Sequence, residues 1–242
     1  MTIDRGEPVG RRGQWLRAGR ATAELEEWVV GPVHAPYTTD ALVDLAPDPG
    51  PWSQRRLLAV VGATGPDDVA ATLRWAGEHG VAVVVVDPQG ARPRRDAMDR
   101  PTVAISLSRV DRVRLDADGA TVRAGVGAAF PAVHRVAQAH RAAPSDLLCR
   151  RGTVGHGVDG LTRCGVTLVT GDGVIHHLGT GGGDRDLWWA HRVRPDRVGV
   201  VTEVVLDPWD TTVRFGRPAW SAGDEARLAT IRRRHDPDRV LG

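Results

Sequence analysis

At 242 residues, with 32 basic against 30 acidic side chains, the chain can bury one large core or two small ones and has no strong pull toward nucleic acid or an anionic membrane. Lysine and asparagine are absent, which excludes a Schiff-base lysine, a phosphate-loop lysine and an N-glycosylation site. Two cysteines, Cys149 and Cys164, form no disulfide framework, and no apolar run approaches the ~20 residues of a membrane span.

Residues 1–20 are basic and Gly-rich and read as a loosely ordered tail, without the apolar core of a secretory signal. A short amphipathic helix is expected from Ala21 to Val30, carrying Leu25, Trp28 and Val29. Pro, Gly and Asp crowd residues 31–52, which are expected to be mostly loop. His34, Tyr37 and Asp40 in that loop have an enzyme-like composition without diagnostic spacing, and loop packing explains them more simply. Leu57 to Val61 and Val81 to Val86 are continuous apolar runs, the mark of parallel strands covered on both faces. Between them Gly65 and Pro66 open a helix whose stripe is Val69, Leu73 and Ala76, with Asp67 and Asp68 at its positive end. The three segments predict a right-handed strand–helix–strand unit.

Val103 to Leu107 and Val113 to Leu115 follow as strands, then an Asp116–Gly119 turn closing a hairpin with Thr121 to Val126. Gly125 and Gly127 are placed to let the backbone approach something closely. Pro131 opens a helix with Phe130, Val133, Val136 and Ala137 on one face. A second hairpin turns at Gly171-Asp172-Gly173, and His176 and His177, adjacent in its return strand, must face opposite sides and cannot share one metal. No zinc-ligand spacing occurs, so no metal is expected. Cys149 and Cys164 read as small packing residues.

The order of these parts (strand, Leu107-Ser108-Arg109, short strand, Asp116-x-Asp118-Gly119, Thr121-Val122-x-x-Gly125-x-Gly127, helix ending Ala139-His140) resembles the FAD-binding (PCMH-type) domain of the berberine-bridge-like and vanillyl-alcohol-oxidase-like flavoproteins. Pro66-Asp67-Asp68-Val69-Ala70, Asp186-Leu187-Trp188-Trp189-Ala190, Val198-Gly199-Val200-Val201-Thr202 and the closing Asp236-Pro237 tail resemble further segments of that family. The resemblance implies an α+β fold of two subdomains: a tail and wrapping segment at 1–52, a first α/β subdomain at 53–108, a second α+β subdomain at 109–209, and a connector with closing helix at 210–242. It covers most of residues 55–242 and implies loss of the family's large antiparallel substrate domain, since only residues 208–223 join the last strand to the closing helix.

The residues that would hold a flavin depart from the pattern. Where the family has a run of glycines and a covalently attached His, the chain reads Asp87-Pro88-Gln89-Gly90-Ala91-Arg92-Pro93-Arg94-Arg95, with one glycine and two prolines that lack N–H donors. Gly155, Gly157 and Gly160 resemble a retained but shortened flavin loop, and Gly90 with them forms a vestigial cofactor set. His191 to Arg197 replaces another glycine run. The expectation is therefore no covalent cofactor, with FAD bound only noncovalently if at all.

A vacated flavin cleft suits acid–base chemistry on a small molecule. His156 as base, Asp159 as its orienter and Arg163 form the expected catalytic set, although the same loop also reads as a turn with solvent-facing polar groups. His191, Arg192 and Tyr37 are the expected substrate contacts. Three functions stay open: a flavin-independent cyclase, isomerase or dehydratase of bacterial secondary metabolism acting on a natural-product intermediate; a small noncovalent FAD oxidoreductase; and a non-catalytic partner of an intact oxidase. The rare and missing residues share AT-rich codons, so a GC-rich bacterial genome, not function, explains their scarcity. A cytoplasmic location and self-association, or pairing with an intact homologue through bared apolar surface, complete the expectations.

Overall fold

The computed structural model describes residues 11–45, 56–86, 100–116, 119, 121–139, 153–154, 163–179, 181–194, 197–206 and 222–241. They form an α+β fold built on two sheets. The first sheet has the order β1-β2-β4-β3 and the second β5-β6-β9-β7-β8.

The first sheet consists of β1 (Val33–His34), β2 (Leu57–Gly62), β3 (Ala82–Val86) and β4 (Thr102–Ser106). β4 pairs in parallel with both β2 and β3, while β1 runs antiparallel along the outer edge of β2. The predicted strand–helix–strand unit is present, with β4 inserted between its two strands. Its helix α3 (Pro66–His79) buries Val69, Leu73 and Ala76 as expected and stops where Gly80 turns to φ 64. Gly65 at the N-cap offers no side chain; Asp68, at the third helical position, ties the helix to the segments before it. Its Oδ2 accepts from the Thr64 N–H at 2.8 Å and hydroxyl at 2.6 Å, and Oδ1 from the Val30 N–H at 2.7 Å. Burial alone would raise this carboxyl, but the donors on Thr64, Val30 and Gly31 outweigh it and hold it below the usual aspartate range.

Two expectations in the N-terminal region are corrected. Helix α1 runs from Arg11 to Glu26, ten residues ahead of the predicted start, and leaves Trp28 and Val29 beyond its end. Ala18, Ala21 and Leu25 are buried at helical spacing, and Arg, Ala and Leu favour helix strongly enough to carry it through Gly13 and Gly19. The stretch expected to be loop contains β1 and the helix α2 (Thr39–Asp44), whose Thr38 hydroxyl caps the Ala41 N–H at 3.2 Å. α2 covers the opposite face of the first sheet, over Leu57, Val60, Val84 and Ala104.

The second sheet comprises β5 (Val113–Leu115), β6 (Val122–Gly125), β7 (Arg163–Val169), β8 (Ile175–Gly179) and β9 (Val200–Leu206), all antiparallel. Gly119 takes φ 68 in the first hairpin and Gly173 φ 74 in the second. Helices α4 (Phe130–Ala139), α5 (Arg185–Val193) and α6 (Ala222–His235) share one core with this sheet, built on Phe130, Val133, Leu168, Leu187, Leu228 and Ile231. α4 presents the predicted face with buried His134 added, and Val136 is half-buried.

What Gly125 and Gly127 approach is the chain itself. A Cβ on Gly125 would collide with the carbonyl of Val110, and one on Gly127 would lie 2.5 Å from the Leu107 oxygen. Both glycines thus seat the connector 107–111 between the two sheets. Val126, Val169 and Val200 carry the first lobe's core into the second. No helix among the described residues is long and apolar enough to cross a membrane.

Candidate functional site

Ligands of open parallel sheets gather at the carboxyl ends of the strands. Here those ends are Gly62, Ser106 and Val86. Beside Gly62, the short β1 brings His34 in register with Val60, and the last residue of α2 brings Asp44. The connector after β4 brings Arg109. Asp44 is the centre of the group, with a side chain only 3% exposed. Its Oδ2 lies 3.1 Å from His34 Nε2, and its two oxygens lie 3.3 and 3.4 Å from an Arg109 terminal nitrogen. The ring N–H of His34 is not aimed along its short contact, so that pair is a charge–dipole contact and not a hydrogen bond. A Cβ on Gly62 would stand 2.9 Å from both Asp44 Oδ2 and Arg109 Nε, so a larger residue there would push on the cluster. Ser106 and Ser108 join their hydroxyls at 3.0 Å on the same edge.

Chemically, the group sets a buried carboxylate beside an imidazole, the pairing that general acid–base chemistry uses. Arg109 is 45% exposed at its side chain and adds a cation that reaches solvent. Tyr37 stands in the turn between β1 and α2 with φ 67, a left-handed conformation uncommon outside glycine. Its side chain is part-exposed, and burial pushes its phenol up.

A second polar group crosses the face of the second sheet away from its helices. Arg123 Nε donates to both Asp116 oxygens at 2.8 and 2.9 Å, and its terminal nitrogen reaches Glu203 at 3.3 Å. Arg114 meets the other Glu203 oxygen at 3.1 Å. Thr167 donates to Glu203 at 3.4 Å and lies 3.2 Å from His177 Nδ1. The Arg123 hydrogen bond holds Asp116 below its ordinary range and raises Arg123. His176 points the other way, to Thr170 at 3.2 Å and to His235 on α6; the two adjacent histidines do face opposite sides.

The predicted site residues that the structure describes fall in three places, and the rest lie outside it. His156, Asp159, Gly90, Gly155, Gly157 and Gly160 lie outside the described residues, as does Cys149. Arg163 opens β7 opposite Leu206. His191 and Arg192 belong to α5, which runs on to Val193, so the expected loop after the Asp186 helix begins later than predicted. His191 is buried, with its ring 5.9 Å from that of Trp188. Tyr37 is on the first lobe and these two are on the second. Asp44 and Arg109 were missed. Their only signal was an Asp ten residues after a His, and an Arg more than sixty residues farther on, which no local pattern flags.

A family model for the FAD binding domain matches residues 57–179, just over half of the 242-residue chain. The chain belongs to the FAD-binding-domain family. No curated protein matches its sequence. Among solved structures, this FAD-binding-domain chain resembles 6-hydroxy-D-nicotine oxidase from Arthrobacter nicotinovorans, with TM-score 0.56, 22% identity, 74% of this chain and 42% of that one covered. It resembles 4-ethylphenol oxidase from Gulosibacter chungangensis with TM-score 0.56, 17% identity, and 83% and 43% coverage. The BBE-like 1 protein of Physcomitrella patens gives 0.54, 17%, 76% and 43%. The chain thus spans less than half the length of these relatives, and at such identities the likeness establishes the PCMH-type fold alone.

The described residues of this family member do not by themselves build a dinucleotide cradle. A diphosphate needs free backbone N–H groups and cations. Beside the start of α3, the helix following the first long strand, the Asp68 carboxylate adds a negative charge where a diphosphate would have to approach. Gly62, Gly125, Gly127 and Gly199 are pressed against other parts of the chain. Arg109 and Arg123 already face carboxylates. The loop that the resemblance assigns to the diphosphate, residues 87–95, lies outside the described residues. Among the described residues, no three His, Cys, Asp or Glu side chains gather to hold a metal.

Proposed function

We propose that the chain uses the FAD-binding-domain fold without covalent flavin, as an acid–base catalyst of the cyclase, isomerase or dehydratase type on a small organic substrate. The observation that carries this reading is the His34–Asp44–Arg109 group at the carboxyl edge of the first sheet. In it His34 takes and returns a proton through Nδ1, the nitrogen not held against Asp44. Asp44 stands against the other ring nitrogen at 3.1 Å, while Arg109 holds a carboxylate or polarised carbonyl of the substrate. The loop at 87–95, with prolines where a diphosphate needs N–H donors, supports the same reading. His156, Asp159 and Arg163 in the shortened glycine loop remain the second candidate set. A natural-product intermediate in a bacterial cytoplasm is the setting we infer for it.

The family match favours one alternative, a noncovalent FAD oxidoreductase. Purification followed by an absorption spectrum and a titration with free FAD separates the two. The proposal expects a colourless protein that quenches no flavin fluorescence at micromolar FAD. A yellow protein releasing stoichiometric FAD on denaturation would sink it. Among colourless preparations, His34→Ala and Asp44→Asn are expected to lower turnover of a substrate found by metabolite screening by ~100-fold or more, the scale of a lost general base.

A further inference from the structure

The last residues of the chain form a strap between the lobes. After α6 ends at His235, Asp236 accepts from the Val240 N–H at 2.7 Å and the Leu241 N–H at 3.3 Å, closing a compact turn in which Arg239 takes φ 51. Val240 is fully buried in the first lobe's core, and its carbonyl accepts from the Val83 N–H at 2.8 Å, covering the open edge of β3. Arg100 donates to the Arg239 carbonyl at 3.0 Å. The strap's root is in the second lobe. There the Asp172 N–H donates to the His235 carbonyl at 3.0 Å, and the His235 ring sits edge-on to His176 with centroids 5.3 Å apart.

We propose that a second proton on the His176–His235 pair unlatches this strap from the first lobe. Two imidazolium rings at that separation, with His235 buried and His176 half-buried, would repel each other. The groups facing it come from every element packed there. Asp184 at the start of α5 lies 3.9 Å from His235 Nε2, and its carboxyl is held low, first by the Leu187 N–H. Asp172 in the β7–β8 turn also favours the protonated rings, and Arg234 on α6 opposes them. Burial first, then the charge of His235, depress the basicity of His176. A histidine depressed in the folded state stabilises that state above its ordinary value of 6.5 and loses the contribution as the pH falls below it. Burial pushes the Asp236 carboxyl up, so its own protonation in acid would tighten the strap and works against release. The inference is independent of what occupies the catalytic edge of the first sheet.

Amide hydrogen exchange tests it on the whole protein. Protection at Val83 and at residues 236–241 is followed from about pH 8 to about pH 5, with each rate referred to the intrinsic rate at that pH. The wild type should lose about tenfold protection across this window while the β2 and β4 amides change little. His176→Phe keeps an aromatic edge contact but takes no proton, and should hold its protection; His176→Gln serves as a second variant should the first misfold. Protection independent of pH in the wild type overturns the proposal, and so does an acid loosening of equal size in the folded variant.

Discussion

Asp68 shows how much one carboxylate can carry. It is buried, sits at the third position of α3, and joins three separate stretches: the turn after α1, the loop after β2, and the helix itself. Asp68→Ala would strand the Val30 and Thr64 donors, and we expect a loss of about 3 kcal/mol in urea unfolding at neutral pH. Because its folded pKa lies below the unfolded one, the stabilisation is present above the ordinary aspartate value of 3.8 and disappears as the pH falls through the folded value. Stability of the wild type and Asp68→Asn should therefore converge in acid; a constant gap across the titration would contradict this role. Asp44 is the counterpart at the candidate site. Its residue type was readable, but its partners were not, because His34 and Arg109 come from an edge strand and a connector that meet only in space.

At the scale of elements, the polar row on the second sheet is the clearest test of cross-strand reasoning. Pairing places Arg114 opposite Arg123, and Thr167 opposite both Glu203 and His177. Two arginines side by side are tolerable only because Glu203 and Asp116 lie between and beside them. Glu203→Gln removes the charge that both arginines share. We expect a cost of about 1 kcal/mol at low salt, shrinking in ~0.5 M sodium chloride, since these side chains are partly solvated. An unchanged denaturation midpoint at low salt would show the row to be decorative. The elements themselves were largely legible. Apolar runs marked β2, β3 and β4, and turn glycines marked both hairpins, because strands buried on both faces and left-handed turn positions leave local traces. β1 and α2 left none: a two-residue strand and a six-residue helix have no period to read, and they exist only because β2 offers an edge and its outer face needs cover.

For the whole molecule, the strap unites what the two sheets divide. Val240 buries a side chain worth about 2 kcal/mol, and its carbonyl closes an edge that would otherwise template pairing with another chain. Truncation after His235 is expected to lower stability by about 3 kcal/mol and to produce concentration-dependent association in sedimentation velocity. A truncated chain that associates no more than the parent and is as stable would refute that account.

By itself, the sequence determined the α+β class, the family and the sites of the tight turns, because periodicity, glycine placement and motif order are local properties of the chain. It also carried the mismatch at residues 87–95, since a proline lacks its N–H in any fold. Only the tertiary structure decided that Gly125 and Gly127 serve the connector, that Asp44 gathers His34 and Arg109, and that the tail closes β3. Each of these is a contact between segments distant along the chain, selected by the need to fill a core and to satisfy buried polar groups, and no spacing rule encodes such a meeting.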